Sequence, residues 1–321
     1  MRVIVVSNQW PSLGRPQNGI FVVEQVESLR KEGVSLDVFT FRGRKNPLNY
    51  LRARIQFRGI LAKKKYDIVH VQFGQSGFPV LPSPVPVVVT FYGSDLVGLV
   101  GSNGHYRPDS FILNYGSYFL AKSAKEIIVV AENLRKYLPK RPGIHVIPQG
   151  IDTQLFRPIP QKTARDKLNL PPDKKFILFP ANPQNPVKRY SLAQRAVEQI
   201  KKDTNADILS LINVPHEKVP LFMNACDALL LTSRHEGSPT VIKEALSCNL
   251  PVVSVDVGDV RKWIQSIDGC VLTKDDSPES IAAGLKEVLR FNRRTKGREL
   301  ASEFDLKKTA RRIIRVYEKV L

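Results

Sequence analysis

The stretch His235-Glu-Gly-Ser-Pro-Thr-Val-Ile-Lys-Glu-Ala-Leu-Ser-Cys-Asn-Leu-Pro-Val-Val-Ser254 decides how the chain folds. It follows an apolar run, Ala228 to Thr232, and leads into another, Val252 to Val255. Between them Ser238 is a preferred helix cap and Pro239 suits a first helical turn, so Thr240 to Ser247 reads as a helix. Strand, helix and strand in so short a span form the repeating unit of a parallel sheet.

Outward from this unit the same alternation recurs. Further strands are expected at Phe176 to Phe179, Asp207 to Leu211 and Cys270 to Leu272, with helices at Tyr190 to Lys201 and Glu279 to Phe291. The first half repeats the theme, with strands at Val3 to Ser7, Leu36 to Phe41, Ile68 to Val71, Val85 to Phe91, Glu126 to Val130 and His145 to Ile147, and a helix from Gly19 to Glu32. Most of these runs are apolar at consecutive positions, as strands buried on both faces are. Ile147 to Pro160, with three prolines and a glycine, interrupts both periods and places a boundary. The expectation is an α/β protein of two Rossmann-like domains with parallel sheets facing across a cleft, where ligands bind at the carboxyl ends of the strands.

Composition narrows the function. With 321 residues, 42% apolar and 25% charged, the chain is an ordinary globular protein long enough for two domains. Its three cysteines, Cys226, Cys248 and Cys270, form neither a disulfide framework nor a metal-ligand pattern, which suits a reducing cytosol. The short N-terminal apolar run reads as a core strand rather than a secretory signal, and no window reaches the roughly 18 apolar residues of a membrane span. No GxGxxG, GxxxxGK[ST] or Asp-x-Asp occurs, so neither a dinucleotide fingerprint, a Walker loop nor an aspartate metal clamp is implied.

What remains is the helix start. Free backbone N–H groups at the start of that helix suit a phosphate. Glu244, on the helix flank, can accept two hydrogen bonds from a vicinal diol, and Glu236 faces whatever hangs from the phosphate.

This arrangement resembles the E-x7-E signature of glycosyltransferase family 4, retaining enzymes of the GT-B fold. Other segments in the same order are similar to that family: Asn18-Gly19 at a helix start, Tyr66-Asp-Ile-Val-His-Val-Gln72, Val89-Thr-Phe-Tyr-Gly-Ser-Asp95, Pro186-Val-Lys-Arg-Tyr190, and Val146-Ile-Pro-Gln-Gly-Ile-Asp-Thr-Gln-Leu-Phe-Arg-Pro158. The resemblance implies an acceptor-side domain at 1–153, a donor-binding domain at 154–304 and a C-terminal helix, 305–321, returning to the first domain. It implies that Glu236 holds the donor sugar, Glu244 the ribose, the backbone of Gly237, Ser238, Thr240 and Val241 the diphosphate, and Lys188 the leaving diphosphate, with Gly19 adding an N–H; the negative charge that develops as the sugar–phosphate bond breaks would meet these fixed donors without a metal. Asp95 and Tyr92 fall near the reacting sugar. The chain departs from the family pattern at Tyr92, where histidine is usual, and at Asn182, where arginine is usual, which leaves Arg189 as a second cation for phosphate.

The implied reaction moves a sugar from a nucleoside diphosphate sugar to a hydroxyl of a glycolipid or polysaccharide acceptor, with no cofactor and no metal. The charge bears on where. The excess is +19; residues 42–66 contribute nine basic side chains and no acidic one, and residues 290–321 eleven against four. A single basic face is expected, with Tyr50, Leu51, Ile55, Phe57, Ile60 and Leu61 interleaving the arginines as in an interfacial helix, and hence a peripheral position at the cytoplasmic face of an anionic membrane. Two alternatives stay open: a nucleotide-sugar epimerase or hydrolase of the same fold, and a basic nucleic-acid binder. The basic segments carry no nucleic-acid motif and few aromatics spaced for stacking, so no nucleic acid is expected.

Overall fold

A computed structural model describes residues 1–13, 18–43, 46–101, 105–108 and 110–321. They divide into two compact units: residues 1–99, 106–150 and 306–321 form one, and 100–105 and 151–305 the other. The first contains β1 (Arg2–Ser7), α1 (Ile20–Lys31), β2 (Ser35–Thr40), α2 (Pro47–Lys63), β3 (Ile68–Gln72), β4 (Val87–Phe91), α3 (Ser94–Val97), α4 (Ser110–Ser123), β5 (Glu126–Val129) and β6 (Ile144–Val146). The second contains α5 (Gln161–Leu168), β7 (Lys175–Phe179), α6 (Tyr190–Thr204), β8 (Ala206–Ser210), α7 (Val219–Ala225), β9 (Ala228–Leu231), α8 (Thr240–Ser247), β10 (Val252–Ser254), α9 (Val260–Ile264), β11 (Val271–Leu272) and α10 (Pro278–Phe291). The final helix, α11 (Leu306–Glu318), belongs to the first unit.

Both sheets are parallel throughout. The first runs β2-β1-β3-β4-β5-β6 and the second β11-β10-β9-β7-β8. Local chemistry sets the helix ends. Asn46 caps α2 by accepting from Leu48 N–H, and Ser277 caps α10 by accepting from Ser280 N–H, each with proline next in line. Asn292 closes α10 in the left-handed conformation.

In the first unit the strands split their side chains between two cores. Ile4, Val6, Val69, Val89 and Val129 pack with Ala53 and Phe57 of α2 and Leu120 and Ala121 of α4. Val3, Val5, Ile68, Val88 and Ile128 pack on the other side with Val26 and Leu29 of α1 and Ala310, Ile313, Val316 and Tyr317 of α11. The period of two along a strand forces this division.

That division corrects the expected single basic face. Helix α2 and helix α11 lie on opposite sides of the same sheet, and residues 290–305 belong to the other unit. Several of those cations are also spent inside: Arg294 donates to the carbonyls of Met223 and Asn224, and Arg298 to those of Phe156, Ser247 and Thr153. Of the basic residues in 42–66, Arg44 and Lys45 lie outside the described residues. Within α2, Phe57 is fully buried and Ile60 and Leu61 pack against the core, so the interfacial pattern holds only for the outward residues. Among the described residues no helix is long and apolar enough to cross a membrane.

Candidate active site

The second unit gathers most of the expected site at the carboxyl end of β9. Thr232 Oγ1 donates to Lys188 O at 2.7 Å, and Arg234 N–H donates to Val187 O at 2.8 Å. These bonds stitch the 3₁₀ turn Pro186–Lys188, itself capped by Asn185 Oδ1 accepting from Val187 N–H, onto the strand end. Lys188 is thereby carried to Glu236, with Nζ 2.5 Å from Oε1 and side-chain exposures of 26% and 16%. An ammonium and a carboxylate this close and half-buried present one cation and one acceptor to a ligand that brings both charge and hydroxyls.

After Glu236 the loop is tightly enclosed. Gly237 is buried, and Gly258, at φ +61°, comes so near that an added Cβ would lie 2.5 Å from Gly237 O. Only glycine fits there. Helix α8 starts at Thr240 with Pro239 as its cap, so Thr240 and Val241 supply first-turn N–H groups that lack acceptors within the helix. Glu244, one turn further along, is 8% exposed.

Ser238 does not cap this helix, contrary to the sequence expectation. Its Oγ donates to Asp259 Oδ2 at 2.7 Å and accepts from Lys243 Nζ, also at 2.7 Å. Lys243 is fully buried, its ammonium 5.4 Å from the Trp263 ring centre, and burial lowers its pKa to about 8. This lysine was not foreseen. A lysine on a short helix reads as a surface residue, and its partner Asp259 lies too far along the chain for any local pattern to show.

Arg189 is also committed elsewhere. Its Nε donates to Thr232 O at 2.6 Å and its Nη1 pairs with Asp276, so the guanidinium clamps the strand end. Asn182, where the family pattern has arginine, makes a local turn with its Oδ1 accepting from Gln184 N–H.

In the first unit Gly19 stands at the start of α1 with φ +71°, where a Cβ would meet Gln9 O at 2.6 Å. Tyr92 is half-buried between Phe21 and Phe73, with ring centres at 5.0 and 4.5 Å, and its hydroxyl donates to Gln72 Oε1 at 2.6 Å. Burial raises its pKa, so the phenol stays protonated. Gln72 in turn donates to Gln25 of α1 at 2.9 Å. Asp95 is 1% exposed and its carboxylate accepts from the N–H groups of Gly74, Tyr92 and Gly93 at 3.0, 3.1 and 2.9 Å. The Asp95 carboxylate thus holds together the loops that carry Gly74, Tyr92 and Gly93, and Tyr92 is packed and hydrogen-bonded. His70 is a satisfied core histidine: Nδ1 meets Tyr317 OH at 2.6 Å and Nε2 meets Thr90 Oγ1 at 2.8 Å, and burial lowers its pKa to about 3. Among the described residues no group of three or more His, Cys, Asp or Glu side chains gathers as a metal site would.

Comparison with known proteins identifies the family and the fold. Residues 2–155 match the Glycosyltransferase Family 4 model and residues 205–304 the Glycosyl transferases group 1 model. A Bacillus subtilis protein named as a teichuronic acid biosynthesis glycosyltransferase, TuaC, is 23% identical over 327 residues, covering 81% of this chain and 82% of its own. Among solved structures, sucrose-phosphate synthase from Thermosynechococcus elongatus superposes with a TM-score of 0.79 at 16% identity, covering 99% of this chain and 98% of the other. Anabaena HepE, solved with UDP-glucose, superposes with a TM-score of 0.73 at 16% identity, covering 99% and 100%. The fold is thus GT-B, its last helix returning to the first unit, and the chain belongs to the family 4, group 1 glycosyltransferases and is a transferase enzyme.

Proposed function

We propose that this enzyme is a retaining, metal-independent glycosyltransferase that moves a sugar from a nucleoside diphosphate sugar to a hydroxyl of a polysaccharide or lipid-linked acceptor. The observation that carries the reading is the 2.5 Å pairing of Lys188 with Glu236 beside the start of α8. In this reading the first-turn N–H groups of Thr240 and Val241 and the Lys188 ammonium hold the diphosphate, Glu244 the ribose and Glu236 the sugar hydroxyls. As the anomeric carbon–oxygen bond breaks, the electron pair leaves with the phosphate oxygen. The acceptor oxygen bonds to the same face of the sugar, and its proton passes to that departing oxygen. No separate base is needed, and the charge that develops meets donors already in place.

The acceptor class is supported by the likeness to TuaC and by the charge. Outward residues of α2, with Lys64 and Lys65 beyond it, form a basic surface on the first unit, suited to peripheral contact with the anionic cytoplasmic face of a membrane. The alternatives lose ground, because both family models describe sugar transfer.

A thermal-shift screen against UDP, GDP, ADP, CMP and their sugars tests the donor. A ligand at about 100 times its Kd adds about 2.7 kcal/mol to the state that binds it. The anomeric configuration of the product by NMR, and the rate with and without a chelator, test the rest. No shift with any nucleotide, an inverted anomer, or a rate abolished by the chelator overturns the corresponding element.

A further inference from the structure

Helix α4 is built inside out. Its buried positions are Ser110, Ser117, Leu120 and Ala121, three of them small. Its large apolar residues point outward: Phe111 is 70% exposed, Ile112 58%, Tyr115 73%, Tyr118 37% and Phe119 58%. Their spacing places all five on one helical face. Helix α2 repeats the pattern, since Leu48, Leu51 and Ile55 share a face and are 59%, 54% and 66% exposed.

Both helices pack on the same side of the first sheet. Phe78, 41% exposed, joins them: its ring meets Tyr50 of α2 edge-on at 5.8 Å, and it lies so close to α4 that a Cβ on Gly116 would come within 2.4 Å of it. At the other end Arg54 and Arg58 of α2 donate to the carbonyls of Leu81 and Pro82, residues that share an open hollow with Phe119 and Lys122 of α4. Outward apolar side chains grouped on a face of each of two helices on one side of the sheet mark a docking surface rather than ordinary scatter.

Charge selects the occupant. Neither helix contains an acidic residue; α2 carries Arg52, Arg54, Arg58 and Lys63, and α4 carries Lys122, whose ammonium lies 5.1 Å from the Tyr118 ring centre. Aromatic and aliphatic side chains outward, with cations only among the charged groups, fit the boundary between headgroups and acyl chains of an anionic bilayer.

We propose that the outward faces of α2 and α4 dock together into an anionic membrane, with Phe111, Tyr115 and Phe119 entering the acyl boundary. This inference rests on the peripheral membrane contact proposed above and adds an apolar component that salt does not screen.

The test uses the full chain, vesicles of phosphatidylcholine with and without phosphatidylglycerol, and salt at about 0.1 M and about 0.5 M, with sedimentation as the readout. A combined Phe111→Ser, Tyr115→Ser, Phe119→Ser variant changes only exposed residues, and its nucleotide-induced thermal shift verifies the fold. Wild type should bind the anionic vesicles, partly survive the higher salt and bind neutral vesicles weakly. The triple variant should bind at least tenfold less at low salt and lose the salt-resistant fraction. Wild type that ignores anionic vesicles overturns the membrane contact itself. Binding by the triple variant equal to wild type at both salts overturns the insertion while leaving electrostatic contact standing. A concentration-dependent dimer that the triple variant abolishes, without vesicle binding, assigns the surface to a second copy and overturns the proposal.

Discussion

Replacing Lys188 by alanine separates a catalytic from a structural role for the site's cation. The ammonium pairs with Glu236 across 2.5 Å, but the two side chains keep 26% and 16% of their exposure. A partly hydrated pair of this kind contributes about 1 kcal/mol to folding. For a unit of this size that is a fall in Tm of about 2–4 °C. The transition state asks more of the same group. If Lys188 faces the departing diphosphate, its loss removes a preorganised donor worth about 3–4 kcal/mol, or 10²- to 10³-fold in kcat. The assay is release of the free nucleotide under saturating donor and acceptor, beside a thermal scan of the same preparation. Lys188→Arg keeps the charge but displaces it, and should recover part of the rate. A kcat within tenfold of wild type for Lys188→Ala refutes the assignment. So does a rate loss accompanied by a Tm fall beyond about 8 °C, which would make the lysine a structural strut.

Three further outcomes follow from the geometry. Glu244→Ala should weaken binding of the free nucleotide about tenfold or more, because hydrogen bonds to a charged group contribute about 1.5–3 kcal/mol; titration calorimetry showing unchanged affinity removes Glu244 from the ribose. His70 has a folded pKa near 3 against 6.5 ordinarily, so the unfolded chain takes up its proton first as the pH falls. Stability should be full above pH 6.5 and decline toward pH 3 by up to about 1.4 kcal/mol per unit; urea midpoints for wild type and His70→Asn should converge in acid, and a constant gap argues against it. Lys243, with a folded pKa near 8 against 10.5, carries the cost of a buried ammonium below pH 8 and sheds it toward pH 10.5. Wild type should therefore gain about 3 kcal/mol relative to Lys243→Met across that window, and parallel pH profiles for the two proteins would contradict this.

The architecture was legible because the strands announce themselves. Runs such as Val3 to Val6 and Ala228 to Leu231 are apolar at every position, and only a sheet covered on both faces buries such a run. The segment from His235 to Ser254 was legible for a related reason, since its turn, helix and strand are contiguous. What escaped depended on partners distant in sequence. Ser238 looks like a cap until Lys243 and Asp259 close around it. Arg189 looks like a phosphate ligand until the end of β9 and Asp276 claim it. Asp95 reads as a site carboxylate, and what does not show in the sequence is that Gly74, just past the neighbouring strand β3, supplies one of its three donors. The outward face of α4 escaped because periodicity shows that a helix has an apolar side without showing which side meets the core. Here glycine and serine allow the close approach, and the aromatics are left outside.

The last helix has a consequence for how this protein is made. Ala310, Ile313, Val316 and Tyr317 fill one of the two cores of the first unit, and Tyr317 completes the hydrogen bonding of His70 in its central sheet. The ribosome delivers those residues only after all of 151–305 has emerged. At about 5–20 residues per second, the N-terminal unit waits roughly eight to thirty seconds with one flank of its sheet uncovered, while the later unit can close first. The order of completion is therefore the reverse of the order of translation. A nascent chain stalled before Leu306 exposes valines, and an imidazole that has lost one of its two partners, to whatever chaperone is near.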